Sequence, residues 1–140
     1  MALRRNRNFN QPCEAMTILS FLPLLLIILA AVCNAVMDRI DDENIHDSIW
    51  KGSNWEWWYK RESWDNAKKI FGWKYDGWHV FKSAMIVFLI SAIVIAYYAG
   101  PLFKFGTTWQ MIGLQIIFYG FVWNGTFNLF YDGVFKRKAK

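Results

Sequence analysis

Three stretches of the chain are nearly free of charge, and segments rich in Lys, Arg, Asp and Glu separate them. Residues 16–37, "MTILSFLPLLLIILAAVCNAVM", contain no charged side chain. Residues 83–100 and 108–131 repeat this pattern later in the chain. A helix of about 20 apolar residues crosses the hydrocarbon core of a bilayer. The pattern therefore predicts an all-α membrane protein with three transmembrane helices in these three segments.

The first apolar segment has an alternative interpretation as a cleaved signal peptide. Arg4, Arg5 and Arg7 form a basic front end, and "CNA" before Val36 is a passable cleavage site. The apolar run is longer than the core of a usual signal peptide, so we expect a retained helix. Residues 1–15 are then a basic N-terminal tail, and residues 132–140 are a basic C-terminal tail.

The segment 38–82 between the first two predicted spans is unusually rich in tryptophan. We expect an amphipathic, helical loop lying on the membrane surface, because indole rings favour the headgroup level. A small globular cap, in which the rings pack on one another, is the alternative. The predicted interfacial residues are Trp50, Trp55, Trp57, Trp58, Trp64, Trp73 and Trp78.

Composition and charge support a membrane location and indicate an orientation. Hydrophobic residues make up 55% of 140 residues, which is more than the interior of a soluble domain of this size can bury. The loop carries 8 Lys and Arg and the C-terminal tail carries 4, against 4 on the other side, which predicts that both are cytoplasmic. The net charge of +5 suits anionic lipid headgroups, and no feature indicates binding to nucleic acid.

Polar residues recur at a four-residue spacing near the end of the third apolar segment. On a helical wheel, Asn124 and Asn128 share a face with Gly113 and Gly120, which is typical of helix–helix contacts. Three spans place the end of the first helix, the start of the second and the end of the third at one membrane face. We therefore predict a shared polar cluster there, made of Asn34, Asp38, Asp76, His79, Lys82, Asn124, Asn128 and Asp132.

Two carboxylate-x-x-His units offer a metal site as an alternative to this structural role. They are Glu43 with His46, and Asp76 with His79. Paired units of this kind hold the metals of di-iron carboxylate bundles. Apart from this possible di-metal site, no cofactor and no catalytic residue is indicated. Cys13 and Cys33 have no metal-binding spacing, and we expect two free thiols.

The strings "NAVMD", "SIW", "DGWHVFKSAMIV" and "FNLFYD" resemble uncharacterised small multi-pass membrane proteins of Bacteroidetes-type bacteria and their phages. That resemblance implies no activity. The expected function is a non-enzymatic subunit or assembly partner that forms a homo-oligomer or joins another membrane protein. The alternatives are a metal-dependent enzyme acting on a lipid or apolar substrate, and a membrane permeabiliser with the outline of a phage holin.

Overall fold

The computed structural model describes residues 18–52, 55–60, 65, 67–70, 73–103 and 106–136, which are mostly helical. The N-terminal tail, the last residues of the C-terminal tail and Trp64 lie outside this description. The elements in chain order are α1 (Ile18–Ile40), a 3₁₀ helix (Asp42–Asp47), α2 (Trp55–Trp58), β1 (Lys68–Ile70), β2 (Trp73–Tyr75), α3 (Gly77–Ala99), α4 (Thr108–Asn128) and a π-helical turn (Leu129–Val134).

Helix α1 lies at the centre of the fold, since both α3 and α4 pack against it. The side chains of Ala30, Ala31, Cys33 and Ala35 on this helix are buried. Such small side chains allow neighbouring helix backbones to approach closely. Helix α1 also continues unbroken through the possible cleavage site before Val36, which belongs to the core.

Among the described residues, two helices are long and apolar enough to cross a membrane, namely Leu19–Ile40 and Gly77–Ala99. In the most apolar stretch of each helix, 39% of the residues of the first are buried and 6% of those of the second. The difference arises because α1 is enclosed by its neighbours while α3 is covered on one side only. The prediction of a mainly helical chain with membrane-length apolar helices is confirmed. Helix α4 is long enough, but its Gln and Asn side chains lower its hydropathy, and a third span stays a prediction.

Helix α3 begins well before the predicted position 83, because Asp76 caps it. Helix α4 begins at Thr108 with a capping box, in which Thr107 and Gln110 exchange hydrogen bonds between side chain and backbone. The Gln110 amide is therefore used at the helix start.

The tryptophan-rich segment contains a two-stranded antiparallel hairpin in addition to short helices. Lys68 pairs with Tyr75, Lys69 with Lys74, and Ile70 with Trp73. The all-α prediction missed this hairpin. The string "KKIFGWKY" contains its signal, since a glycine separates two short runs of residues that favour strands.

All three long helices meet at one end of the fold, which we call the loop end. The core there consists of buried side chains from α1, the 3₁₀ helix and the C-terminal segment. Trp58, Trp78, Phe127 and Phe130 pack around this core. The backbone N–H of Ile49 donates to the Phe135 carbonyl at 3.1 Å, which ties the C-terminal segment to the loop. The core residues are Ala35, Val36, Ile40, Ile45 and Phe135.

Gly77 marks a close approach between α3 and α2. A Cβ atom at Gly77 would lie 2.5 Å from Cε3 of Trp58, so the ring has to move to admit it. We expect Gly77→Ala to lower the free energy of unfolding by about 1–2 kcal/mol through overpacking. Unfolding in mixed detergent micelles measures this loss.

Gly113→Ala is the matched control for Gly77→Ala, because a Cβ atom at Gly113 has nothing within 4 Å. In the isolated chain this substitution should be neutral or stabilising, since alanine favours a helix over glycine by about 1 kcal/mol. Equal losses in the two variants would contradict the steric explanation for Gly77.

Candidate functional site

Arg39, in the last turn of α1, makes the polar contact that joins α1 to the C-terminal segment. Its side chain is only 4% exposed. Nε donates to the Tyr131 carbonyl at 3.2 Å, and Nη2 donates to the same oxygen. The guanidinium also lies over the Tyr131 ring, with Cζ 3.9 Å from the ring centroid. Arg39 was not among the predicted site residues.

The π-helical turn explains why the Tyr131 carbonyl is available to Arg39. In an α-helix the N–H of Phe135 would donate to the oxygen of Tyr131, four residues earlier. Here it donates instead to Phe130, five residues earlier, at 2.8 Å. The Tyr131 oxygen therefore accepts the guanidinium hydrogen bonds, and π-helical turns of this kind often mark functional positions.

Asp76 and His79 form a compact unit at the start of α3. The Asp76 side chain is fully buried. Its Oδ1 accepts from the backbone N–H of His79 at 2.9 Å, which is an N-cap hydrogen bond. Its Oδ2 accepts from Nδ1 of His79 at 2.6 Å. Both carboxylate oxygens of Asp76 are thus used in starting the helix.

The ring of Trp78 lies near two lysines at the loop end. Nζ of Lys60 is 5.1 Å from the ring centroid, and Nζ of Lys82 is 4.7 Å from it. Lys60 also forms an ion pair with Asp41. These distances are within the range of cation–π attraction, so Trp78 links α3 to the segment after α1.

The four-residue spacing of Asn124 and Asn128 places both on the exposed side of α4. Nδ2 of Asn124 donates to the Gly120 carbonyl in its own helix at 3.1 Å. Asn128 and Gly120 are exposed as well. The partly buried side of α4, which includes Gln115 and Val122, lies on the opposite face. The amides therefore lie on the exposed surface of α4.

The eight residues of the predicted polar cluster all lie at or towards the loop end, where they make mostly local contacts. Asn34 donates to Asp38 at 3.5 Å along α1, and Lys82 contacts Trp78 along α3. Asp132 reaches another helix, at 3.6 Å from Nη2 of Arg39, and its side chain is 66% exposed. Arg39 therefore joins two helices where the predicted amides do not.

The two predicted metal-ligand pairs differ in their surroundings. His46 is exposed and its ring lies against Trp55, with centroids 5.7 Å apart. The side chain of Glu43 lies outside the described residues. In the second pair, Nδ1 of His79 lies 2.6 Å from Oδ2 of Asp76. Within the described part of the chain, no group of three His, Cys, Asp or Glu side chains is placed to hold a metal ion.

Three described tryptophans of the segment between α1 and α3 pack on one another. The rings of Trp57 and Trp58 meet edge to face at 4.6 Å, and Trp50 lies 6.1 Å from Trp58. Trp50 also contacts Phe135 at 4.8 Å. This arrangement fits the alternative of a small globular cap. The side chain of Trp73 lies outside the described residues.

An apolar cleft of about 340 Å³ separates the end of α3 from the start of α4. Gln115 on its wall accepts the backbone N–H of Leu102 and donates to the Tyr119 hydroxyl, each at 3.1 Å. The amide of Gln115 is thus satisfied within the protein, and the cleft offers mainly hydrocarbon contacts. Its lining includes Ala96, Tyr97, Pro101, Met111, Ile112 and Ile116.

Comparison of the chain with protein-family models, with curated proteins and with solved structures found no match. The functional argument therefore depends on the geometry of the described residues.

Proposed function

We propose that this chain is an integral membrane protein that crosses the bilayer three times and acts as a non-enzymatic subunit or assembly partner. In this arrangement α1, α3 and α4 span the bilayer, and the tryptophan-rich segment caps the loop end. The basic loop and tail lie on the cytoplasmic side, by the excess of Lys and Arg. The resemblance to small multi-pass proteins of Bacteroidetes-type bacteria and their phages agrees with this proposal.

The exposed amide face of α4 is the observation that carries the assembly role. Gly120, Asn124 and Asn128 lie on the exposed side of α4. Lipid offers no hydrogen-bond partner to an exposed amide, so polar side chains in a span normally face other protein. A Cβ atom at Gly120 meets nothing within 4 Å, which leaves room for another helix to approach. Glycine and amide side chains together are typical of helix–helix interfaces.

The test is the oligomeric state of the purified full chain and of the variant Asn124→Leu/Asn128→Leu. Interhelical hydrogen bonds in membranes are worth about 0.6 kcal/mol each and up to about 2 kcal/mol. We therefore expect the double substitution to weaken association with itself or with a partner by roughly tenfold. Light scattering in detergent measures self-association, and co-purification from the native membrane measures association with another protein.

The matched control is Val87→Ala/Ile90→Ala, which alters two side chains on the exposed face of α3, each 58% exposed. This variant should associate as the wild type does. Wild-type protein that is a monomer and co-purifies with nothing would contradict the assembly role. Release of the protein from membranes by alkaline carbonate would contradict the transmembrane arrangement.

A further inference from the structure

The apolar cleft between the end of α3 and the start of α4 has the size of a ligand site. Its volume is about 340 Å³, and sites for small molecules and cofactors have volumes of about 300–1,000 Å³. Helices α3 and α4 both pack against α1 but barely contact each other, which leaves a gap between them. Gly100 and Pro101, in the connection between the two helices, line the cleft as well. Its walls therefore come from both helices and from their connection.

The walls of the cleft favour a hydrocarbon ligand. Ala96 on α3 and Ile112 on α4 contribute apolar side chains to them. The amide of Gln115 is already bonded, since it accepts the N–H of Leu102 and donates to the Tyr119 hydroxyl. A polar or charged ligand would lose its hydrogen bonds to water on entering, with few polar groups to replace them. The ligand class that fits these walls is therefore a hydrocarbon chain.

The cleft opens onto the surface that faces lipid in the proposed arrangement. Ile112 and Ile116 line the cleft and are also 43% and 66% exposed. Within a bilayer, an exposed apolar surface of this kind is in contact with acyl chains. A lipid chain therefore reaches the cleft directly from the bilayer, without passing through water.

The length and the depth of the cleft match one leaflet of a bilayer. Its residues on α4 run from Thr108 to Tyr119, which is about 16 Å at a helical rise of about 1.5 Å per residue. One leaflet provides half of a hydrocarbon core of about 30 Å. Tyr97, which lines the cleft, and Trp109 are each 82% exposed near the helix ends, and such aromatic side chains favour the headgroup level. The cleft therefore begins at headgroup depth and extends towards the middle of the bilayer.

We propose that this cleft binds one acyl chain of a membrane phospholipid, in the leaflet opposite the loop end. The apolar walls contact the chain, and the glycerol and phosphate of the same lipid stay outside, at the level of Tyr97 and Trp109. A phospholipid fits because its chain and its headgroup meet at the depth where the cleft begins. The inference rests on the proposed transmembrane arrangement, and it adds a ligand class to that proposal.

The experiment reconstitutes the full chain in phosphatidylcholine vesicles that contain trace phosphatidylcholine with a diazirine in one acyl chain. Illumination attaches this lipid to the residues that it contacts, and mass spectrometry of the peptides locates the attachment. Wild-type protein should be labelled more strongly within residues 96–101 and 108–119, which include the cleft lining, than on the exposed face of α3 around Ile90. The reason is that a chain in the cleft is held between two helices, while the surrounding lipid exchanges freely.

Two variants fill the cleft from opposite walls. Ala96→Phe fills it from α3 and should lower the labelling there to the level of the exposed face of α3. Ile112→Trp narrows it from α4 and should have the same effect, so the test does not depend on the folding of one variant. Ile93→Phe is the matched control, because it adds the same ring to an α3 residue that is 71% exposed and outside the cleft lining. This control should keep the wild-type labelling.

Two results would overturn the proposal. One is labelling of the cleft in wild-type protein that is no stronger than labelling of the exposed face of α3. The other is wild-type labelling of the cleft in both filled variants. A free fatty acid with the same diazirine that labels the cleft, where the phosphatidylcholine does not, would assign the cleft to free fatty acids instead.

Recovery of the protein with floated vesicles separates this proposal from the one on which it rests. Wild-type protein that does not float with the vesicles would contradict the transmembrane arrangement. Protein that floats but shows no stronger labelling in the cleft contradicts the lipid site alone.

Discussion

Replacement of Arg39 by alanine is expected to lower the free energy of unfolding by about 3 kcal/mol or more. The substitution removes two hydrogen bonds from a charged donor to the Tyr131 carbonyl, and each such bond contributes about 1.5–3 kcal/mol. It also removes the guanidinium from the face of the Tyr131 ring, a contact worth about 1 kcal/mol. Unfolding of the purified protein in mixed detergent micelles measures the loss.

Asp132→Asn is the control for the ion-pair part of this contact. The Asp132 side chain is 66% exposed and lies 3.6 Å from the arginine, so the pair is screened by solvent. We expect a loss of about 0.5 kcal/mol or less from this variant. A loss equal to that of Arg39→Ala would show that the ion pair, rather than the carbonyl contact, holds α1 to the C-terminal segment.

Asp76→Ala is expected to have the second largest effect, lowering the free energy of unfolding by about 2–3 kcal/mol. The variant loses the N-cap bond, worth about 1 kcal/mol, and leaves His79 without its carboxylate partner. Hydrogen exchange adds a local measure, because the amides in the first turn of α3 should exchange faster. Those in the middle of α4 should keep their protection, since Asp76 does not contribute to that helix.

Asp76→Asn tests whether the carboxylate acts as a helix cap. Its side-chain oxygen still accepts the His79 N–H, so we expect it to lose less than about 1 kcal/mol. The same measurements with and without a chelator test the predicted metal pair. The capping role would be contradicted by two results together. The first is a wild-type free energy of unfolding that falls when a chelator is added, and the second is a bound metal that His46→Ala/His79→Ala loses. Asp76 would then be a metal ligand.

Asn124 and Asn128 show how far spacing alone predicted the candidate site. Their spacing correctly placed both on one helix face, but it did not say which way that face points. The direction depends on which side of α4 is covered by the rest of the protein, and the partly buried side includes Gln115 and Val122. A contact between α1 and residues about ninety positions later has no local signal in the chain.

Arg39 and the hairpin were missed for different reasons. Arg39 adjoins an apolar run, where a basic residue is ordinarily read as a solvent-exposed flank. Its burial depends on the π-helical turn at Leu129–Val134, which frees the Tyr131 carbonyl. The hairpin did have a local signal in "KKIFGWKY", but its flanking tryptophans favoured the interpretation as surface helices.

The sequence by itself determined the helical character of the chain, two membrane-length apolar helices and the start of α4. These features depend on composition, periodicity and residues such as Thr107, which act within a few positions. The tertiary structure alone decided that α1 is central, that Arg39 joins it to the C-terminal segment, and that the amides of α4 face outward. These features depend on which helix faces pack together, and that choice is made by contacts between residues distant in the chain.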